Sequence, residues 1–202
     1  FKMSFYEGSS RVPMMISSSG VEPRLVTDPV SNIDVCPTLC DIAGISMQDV
    51  APWTQGESLL SLANGGMRTT PVAMEYTAEA SYAPMVSLRS GPYKFNRCAL
   101  DPDQLFDLEN DPHELVNLID DPEFDDIRAE FSALSDAKWD LARFDDEVRR
   151  SQARRWIVYE ALRNGEYYPW DYQPLKKASE RFMRNHMDLN VLEESQRFPR
   201  GE

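Results

Sequence analysis

The chain has 202 residues, which is room for one ordinary domain or a small domain with appendages. Its composition, 42% hydrophobic and 27% charged, supports a buried core and excludes wholesale disorder; no apolar run approaches the roughly 18 residues that a membrane span needs. The net charge of −13, from 34 acidic against 21 basic residues, argues against nucleic acid as a partner, because phosphate contacts need clustered Lys and Arg.

In chain order, the run RVPMMIS at 11–17 reads as a short buried strand entered through Pro13, followed by a loop over 20–29. Residues 31–43 read as a helix. Ser31 caps it, Asp34 stands three residues on as in a capping box, and Gly44 ends it. Pro37 fits only in a first turn, so the regular part starts near Asp34. Residues 50–66 are loop with one helical turn around 58–63.

The texture changes after Gly66. Three strand-like runs follow at 71–76, 84–89 and 93–98, and the Ser90-Gly91-Pro92 turn makes the second and third a hairpin. A fourth strand is expected at 104–108, and Asp111-Pro112 opens a short helical segment. Over 122–163 the period becomes helical: Phe124, Ile127, Phe131 and Leu134 form one apolar row, and Leu141, Phe144 and Val148 repeat it. Acids crowd the start and arginines the later part, as the helix dipole favours. One long helix and two shorter ones fit this pattern equally. Beyond Gly165, Tyr167, Tyr168, Trp170 and Tyr172 lie among prolines; so many aromatics are expected to cover another surface.

Cys36, Cys40 and Cys98 are an odd number of cysteines in a chain too large to depend on a disulfide framework. They read as buried free thiols of a reducing compartment, so the expected location is cytoplasmic. Neither His113 nor His186 lies near Cys36 and Cys40 in sequence, so no zinc site is expected. By residue type alone, Lys2 is a solvated lysine or a fixed cation for an oxyanion, and Arg11 serves likewise or pairs with Glu7.

Three stretches carry a family resemblance. KMSFYEGSSRVPMMI resembles the sulfatases of the alkaline-phosphatase superfamily, in which a Lys precedes an E-G-x-x-R-x-P element. PVSNIDVCPTLCDIAG resembles the sulfatase segment in which D-x-x-P-T-L begins a helix, and YKFNRCALDPDQLFDLENDPHELVNL resembles its C-terminal hairpin, ending in D-P-x-E-x-x-N-L. The later stretches SQARRWIVYEALRNGEYYPWDYQPL and ASERFMRNHMDLNVLEESQRFPRGE are similar to members of the family that hydrolyse choline O-sulfate.

The resemblance implies an α/β fold. Residues 1–66 become the end of an alkaline-phosphatase-like α/β sandwich, 67–165 a subdomain of antiparallel strands with a long helix, and 166–202 an extended tail docking on a neighbouring subunit. It implies a formylglycine nucleophile made from a C-x-P-x-R motif, which none of the three cysteines satisfies, so the nucleophile is expected upstream. A divalent metal (calcium, magnesium or manganese) is expected there too, with its ligands outside this chain.

Lys2 is implied to contact the sulfate oxygens, as the catalytic and substrate-binding cation. Glu79 in MEYTAEAS is implied to face the quaternary ammonium of choline, a cation with no hydrogen-bond donors that needs a carboxylate and aromatic faces. Among the tail residues, the four aromatics read as anchors in preference to a choline cage, and Asp188 or Glu193 is a second candidate for the cation. The expected partners are the small-molecule substrate choline sulfate, the N-terminal part of the same enzyme and further copies of itself, with no nucleic acid and no membrane. A phosphonate monoester or phosphodiester hydrolase of the same superfamily, and a noncatalytic oligomerisation module, are the alternatives.

Overall fold

The computed structural model describes residues 3–18, 21–78, 81–164 and 191. They fall into two compact units, Phe1–Asp146 and Glu147–Glu202. The helices are α1 (Glu7–Ser10), α2 (Val35–Ile42), α3 (Met47–Val50), α4 (Leu60–Ala63), α5 (Asp125–Lys138) and α6 (Leu141–Arg163). The strands are β1 (Val72–Tyr76), β2 (Met85–Ser90), β3 (Tyr93–Cys98) and β4 (Asp101–Asp107), forming one antiparallel sheet in the order β1-β2-β3-β4. The three expected strands and the fourth are therefore present, and β2 and β3 form the expected hairpin.

The register decides what each face carries. Leu88 stands opposite Ala73 and Phe95, and Phe95 opposite Leu105; one position along, Arg89 stands opposite Val72 and Lys94, and Lys94 opposite Phe106. Side chains alternate along a strand, so these two rows point to opposite faces. The first row packs with Phe131 of α5 into the core, and Leu88, Phe95, Leu105 and Phe131 are all buried. Full burial of each such side chain contributes about 1.5–3 kcal/mol. The second face is more polar and is covered by the N-terminal segment. Tyr6 packs its ring 5.9 Å from that of Phe106 and accepts a hydrogen bond from Gln104 Nε2 at 3.1 Å.

The 122–163 region resolves into two helices. Asp121 accepts a bond from the Glu123 N–H at 3.0 Å, Pro122 opens the first turn, Asp125 and Asp126 follow, and Lys138 stands at the C-terminal end of α5. Trp139 then adopts extended backbone (φ −130°, ψ 131°), held by its indole N–H donating to Glu75 at 2.6 Å. Asp140 caps the start of α6 through the Arg143 N–H at 3.0 Å. The apolar row on α5 departs from the expected one at its end. Leu134 is exposed while Ser135 is buried, because the inward row steps by four residues after Phe131.

Three further expectations are corrected. Residues 11–18 form no strand and are largely exposed, with Met15 at 94%. No described strand lies alongside to take their backbone bonds, and an extended segment without a partner is not a sheet. The segment after Asp111-Pro112 is a turn and loop, and Glu114 there has φ +56°. The thiols are not buried: Cys36 is exposed, and Cys40 and Cys98 are half-buried. Helix α2 turns Pro37 and Thr38 inward, and Cys36 sits a step of about 100° around the helix from Pro37. The capping box at Ser31 and Asp34 is present, as is Pro37 in the first turn of α2, and Gly44 follows the helix end at φ +66°.

In the second unit, α6 continues to Arg163. Trp156 and Tyr159 stack at 5.1 Å between ring centroids, and Trp156, Ile157, Val158 and Leu162 are exposed.

Candidate functional site

The N-terminal segment is held on the polar face of the sheet by one buried lysine. Lys94 is the second residue of β3, with its side chain 1% exposed. Its ammonium donates to the Phe5 carbonyl at 2.8 Å, to Glu7 Oε1 at 2.6 Å and to Glu114 Oε1 at 2.9 Å. An ammonium has three protons, and each finds an acceptor. Glu114 uses its other oxygen to accept the Glu7 backbone N–H at 2.6 Å. The backbone is thus fixed on both sides of Tyr6. Ser10 adds a bond from its hydroxyl to the Phe5 carbonyl at 2.9 Å.

Two stretches that carry the family resemblance therefore meet here, with Glu7 and Glu114 107 residues apart in the chain. Glu7 belongs to the E-G-x-x-R element and Glu114 to the D-P-x-E element, and the lysine between them is in the hairpin. Two carboxylates around one ammonium leave a local negative excess. Arg11 offsets it weakly, at 3.9 Å from Glu7 Oε2 with its side chain 76% exposed. Arg89 offsets it from within the sheet. Burial lowers the pKa of its guanidinium, and Arg11 lowers it further, while Glu7, Asp107 and Glu114 favour its charged form. Asp107 lies below the ordinary carboxylate range. Burial pushes it up, but hydrogen bonds from the Asn110 side chain and from the Asn110 and Glu109 backbone, together with Arg89, outweigh that.

The D-x-x-P-T-L element forms a second knot. Asp34 is fully buried and accepts bonds from the Ser31 N–H at 2.8 Å, the Glu57 N–H at 2.9 Å and Arg68 Nη1 at 2.7 Å. Thr38 donates to the Asp34 carbonyl at 2.6 Å and accepts from the Leu59 N–H at 2.9 Å. Gly56 makes the approach possible, since a Cβ there would stand 2.1 Å from the Ile33 carbonyl oxygen. This buried, satisfied ion pair ties α2 to the chain at 56–68 and leaves no group of Asp34 free for chemistry.

The residues singled out from sequence divide plainly. Lys2, Glu79, Asp188 and Glu193 lie outside the described residues, as do His186, Tyr167, Tyr168, Trp170 and Tyr172. Of the immediate chain neighbours of Lys2 and Glu79, Met3 and Ala78 are described. Met3, directly after Lys2, has φ +81°. Ser81 stands two residues beyond Glu79 in the β1–β2 loop and donates to the Ala78 carbonyl at 3.2 Å. His113 is exposed. Sequence reading missed Lys94, Glu114 and Arg68. None of the three stands out locally: Lys94 lies in the run YKFNRC, beside Asn96 and Arg97.

Among the described residues, no three His, Cys, Asp or Glu side chains are grouped so as to hold a metal ion. The acid pair at this site, Glu7 and Glu114, already shares Lys94. The described residues therefore do not fit the divalent ion that the resemblance implies. No described helix is long and apolar enough to cross a membrane.

Comparison with known proteins gives a consistent picture. Residues 1–138 match the family model described as N-sulphoglucosamine sulphohydrolase, C-terminal, and residues 146–198 match that of the choline sulfatase enzyme C terminal. A choline-sulfatase of Rhizobium meliloti (strain 1021) is 61% identical over 205 aligned positions, covering 100% of this chain and 40% of that protein. The uncharacterized sulfatase YidJ of Escherichia coli (strain K12) is 32% identical over 149 positions, covering 72% of this chain and 28% of that protein. The chain thus spans well under half the length of these relatives. A crystal structure from Bacteroides thetaiotaomicron VPI-5482, described as that of a sulfatase, superposes with a TM-score of 0.53 at 30% identity, covering 74% of this chain and 32% of that one.

Proposed function

Because the chain belongs to the sulfatase family, matching the C-terminal part of its members, we propose that it serves an enzyme hydrolysing choline O-sulfate to choline and sulfate. The observation that carries this is the 61% identity to the Rhizobium meliloti choline-sulfatase, which runs the whole length of this chain. The match of 146–198 to the choline sulfatase C-terminal model supports the same substrate, since this region lies beyond the 1–138 match to the N-sulphoglucosamine sulphohydrolase model.

In this reading Lys2 is the cation that meets the sulfate group. Charge builds on the sulfate oxygens and on the bridging oxygen as the S–O bond breaks. A fixed ammonium there stabilises the transition state by roughly 2–4 kcal/mol, by analogy with a lost oxyanion donor. The clamp at Lys94 supports the role because it fixes the backbone three residues beyond Lys2. Glu79 faces the quaternary ammonium of choline, which offers charge and methyl groups but no donor. The aromatic tail docks on a neighbouring copy, where Asp188 or Glu193 reaches the same cation.

The nucleophile of this reading is a formylglycine elsewhere in the enzyme, since Cys36, Cys40 and Cys98 all lack the C-x-P-x-R context. The divalent ion and its ligands likewise belong to residues other than those described. The overall balance is one water consumed, with choline, sulfate and a proton released. The compartment proposed is the cytoplasm, in keeping with three free thiols.

The test is a rate comparison on the full-length enzyme that carries these residues. Sulfate release from choline O-sulfate is measured against phosphate release from a phosphonate monoester. Faster sulfate release is expected. Faster phosphate release would overturn the reading in favour of a phosphonate hydrolase of the same superfamily. The 202 residues alone, lacking the nucleophile, are expected to release neither.

A further inference from the structure

We infer that Lys94 and Glu114 are positioning residues that fix where Lys2 presents its ammonium group. The inference rests on the reading of Lys2 as the cation that meets the sulfate. Three observations carry it.

The first is the directness of the hold. Lys94 and Glu114 bond to backbone atoms of the segment, the Phe5 carbonyl and the Glu7 N–H, as well as to the Glu7 side chain. Such bonds fix the chain itself and not only one side chain. From Phe5 back to Lys2 is three residues, at most about 10 Å of fully extended chain. A shift in the clamp therefore passes to Lys2 through a short lever.

The second is the choice of chemistry. A segment can be anchored on a sheet by apolar contact, as Tyr6 on Phe106 does beside it. A buried ion cluster is a poor route to stability alone, because desolvation offsets much of the attraction. What it supplies is direction. Three ammonium protons meeting three acceptors admit one register of the segment, whereas apolar surfaces admit sliding.

The third is backbone conformation. Among the described residues, Met3 and Glu114 are those outside glycine with positive φ, at +81° and +56°. One directly follows Lys2 and the other bears the clamping carboxylate. Residues are held in this region where surrounding contacts over-determine them, and such places cluster at functional sites.

A double-mutant cycle tests the inference, using the full-length enzyme with choline O-sulfate as substrate. Lys2→Ala alone is expected to lower kcat/KM by roughly 10²–10³-fold. Lys94→Met is expected to lower it by about 10–100-fold, mostly through kcat, since a displacement of about 1 Å can cost that much. In the Lys2→Ala background, Lys94→Met should cost no more than about 2-fold, because nothing is left to position. Glu114→Gln keeps the side-chain volume and should show the same pattern with a smaller first effect. It carries the cycle if Lys94→Met does not fold.

Equal losses from the clamp variants in both backgrounds would make the clamp a general structural support and overturn the inference, while leaving the role of Lys2 intact. No loss from a folded Lys94→Met or Glu114→Gln overturns it in the same way. A Lys2→Ala enzyme of unchanged kcat/KM is a separate result, removing the reading of Lys2 itself.

Discussion

On one face of the four-stranded sheet, Leu88, Phe95 and Leu105 meet Phe131 of a single helix through buried carbon. On the other, Lys94 meets two carboxylates and a backbone carbonyl, and the segment it holds contributes one aromatic ring. Lys94 and Phe95 are adjacent in β3 and equally buried at 1%, yet they close their faces by different physics. Apolar contact is nondirectional and rewards total buried area. Charged hydrogen bonds reward one geometry and penalise any other. The difference teaches where position matters in this molecule: the helix face must be closed, whereas the segment face must be closed in one register.

The largest expected effects come from the adjacent pair. Phe95→Ala leaves a core cavity and should cost about 3–5 kcal/mol. Lys94→Met strands the buried Glu114 carboxylate and the half-buried Glu7 one, and should cost about 3–5 kcal/mol. Denaturant unfolding of each variant measures both. The two then part: adding Glu114→Gln to Lys94→Met should recover some of the loss by removing a stranded charge. If the double variant is less stable than Lys94→Met, the ionic account of that face is wrong.

Conservative changes sharpen the contrast. Leu105→Met keeps volume and should cost less than about 1.5 kcal/mol. Lys94→Arg keeps the charge but replaces a compact ammonium by a planar fork, so it should be the more costly of the two in the same measurement. Equal costs would erase the distinction between the faces.

Acid is a milder probe. Asp107 titrates below its ordinary value of 3.8 in the folded protein. The stability it contributes is complete above that ordinary value and is lost as the pH falls through the lower, folded-state one. Stability should therefore decline on acidification below about pH 4, and Asp107→Asn should remove that part of the decline. The smallest effect belongs to Arg11→Ala. Its pairing with Glu7 is long and exposed, so a loss of no more than about 0.5 kcal/mol is expected in thermal unfolding.

The apolar face was legible in the sequence because its rule is periodic. The strand runs around Val86, Leu88 and Phe95 alternate, the Ser90-Gly91-Pro92 turn pairs two of them, and Phe124, Ile127 and Phe131 keep helical spacing. The row failed only at Leu134, where steps of three and four residues compete and Ser135 took the buried place. The capping box at Ser31 and Asp34 was legible because it is a local pattern four residues long.

The ionic face was not legible, because its partners are brought together only by the fold. Glu7 reads locally as a partner for Arg11, four residues away, yet its short bond is to Lys94, 87 residues away. Glu114 reads as part of a short helix and stands instead at positive φ in a loop. Arg68 gives no sign in sequence of meeting Asp34. At 11–17 the composition indicated a strand, but a strand also needs a neighbouring edge, and no described strand supplies one. Lys2 and Glu79 rested on family resemblance, and their side chains lie outside the described residues.

The most direct test of the account is a crystal structure of the full-length enzyme with sulfate bound. The account predicts the Lys2 ammonium within about 3 Å of a sulfate oxygen, with Lys94 still bonded to Glu7 and Glu114. A Lys2 side chain turned to solvent, with another cation in its place against the anion, would contradict it.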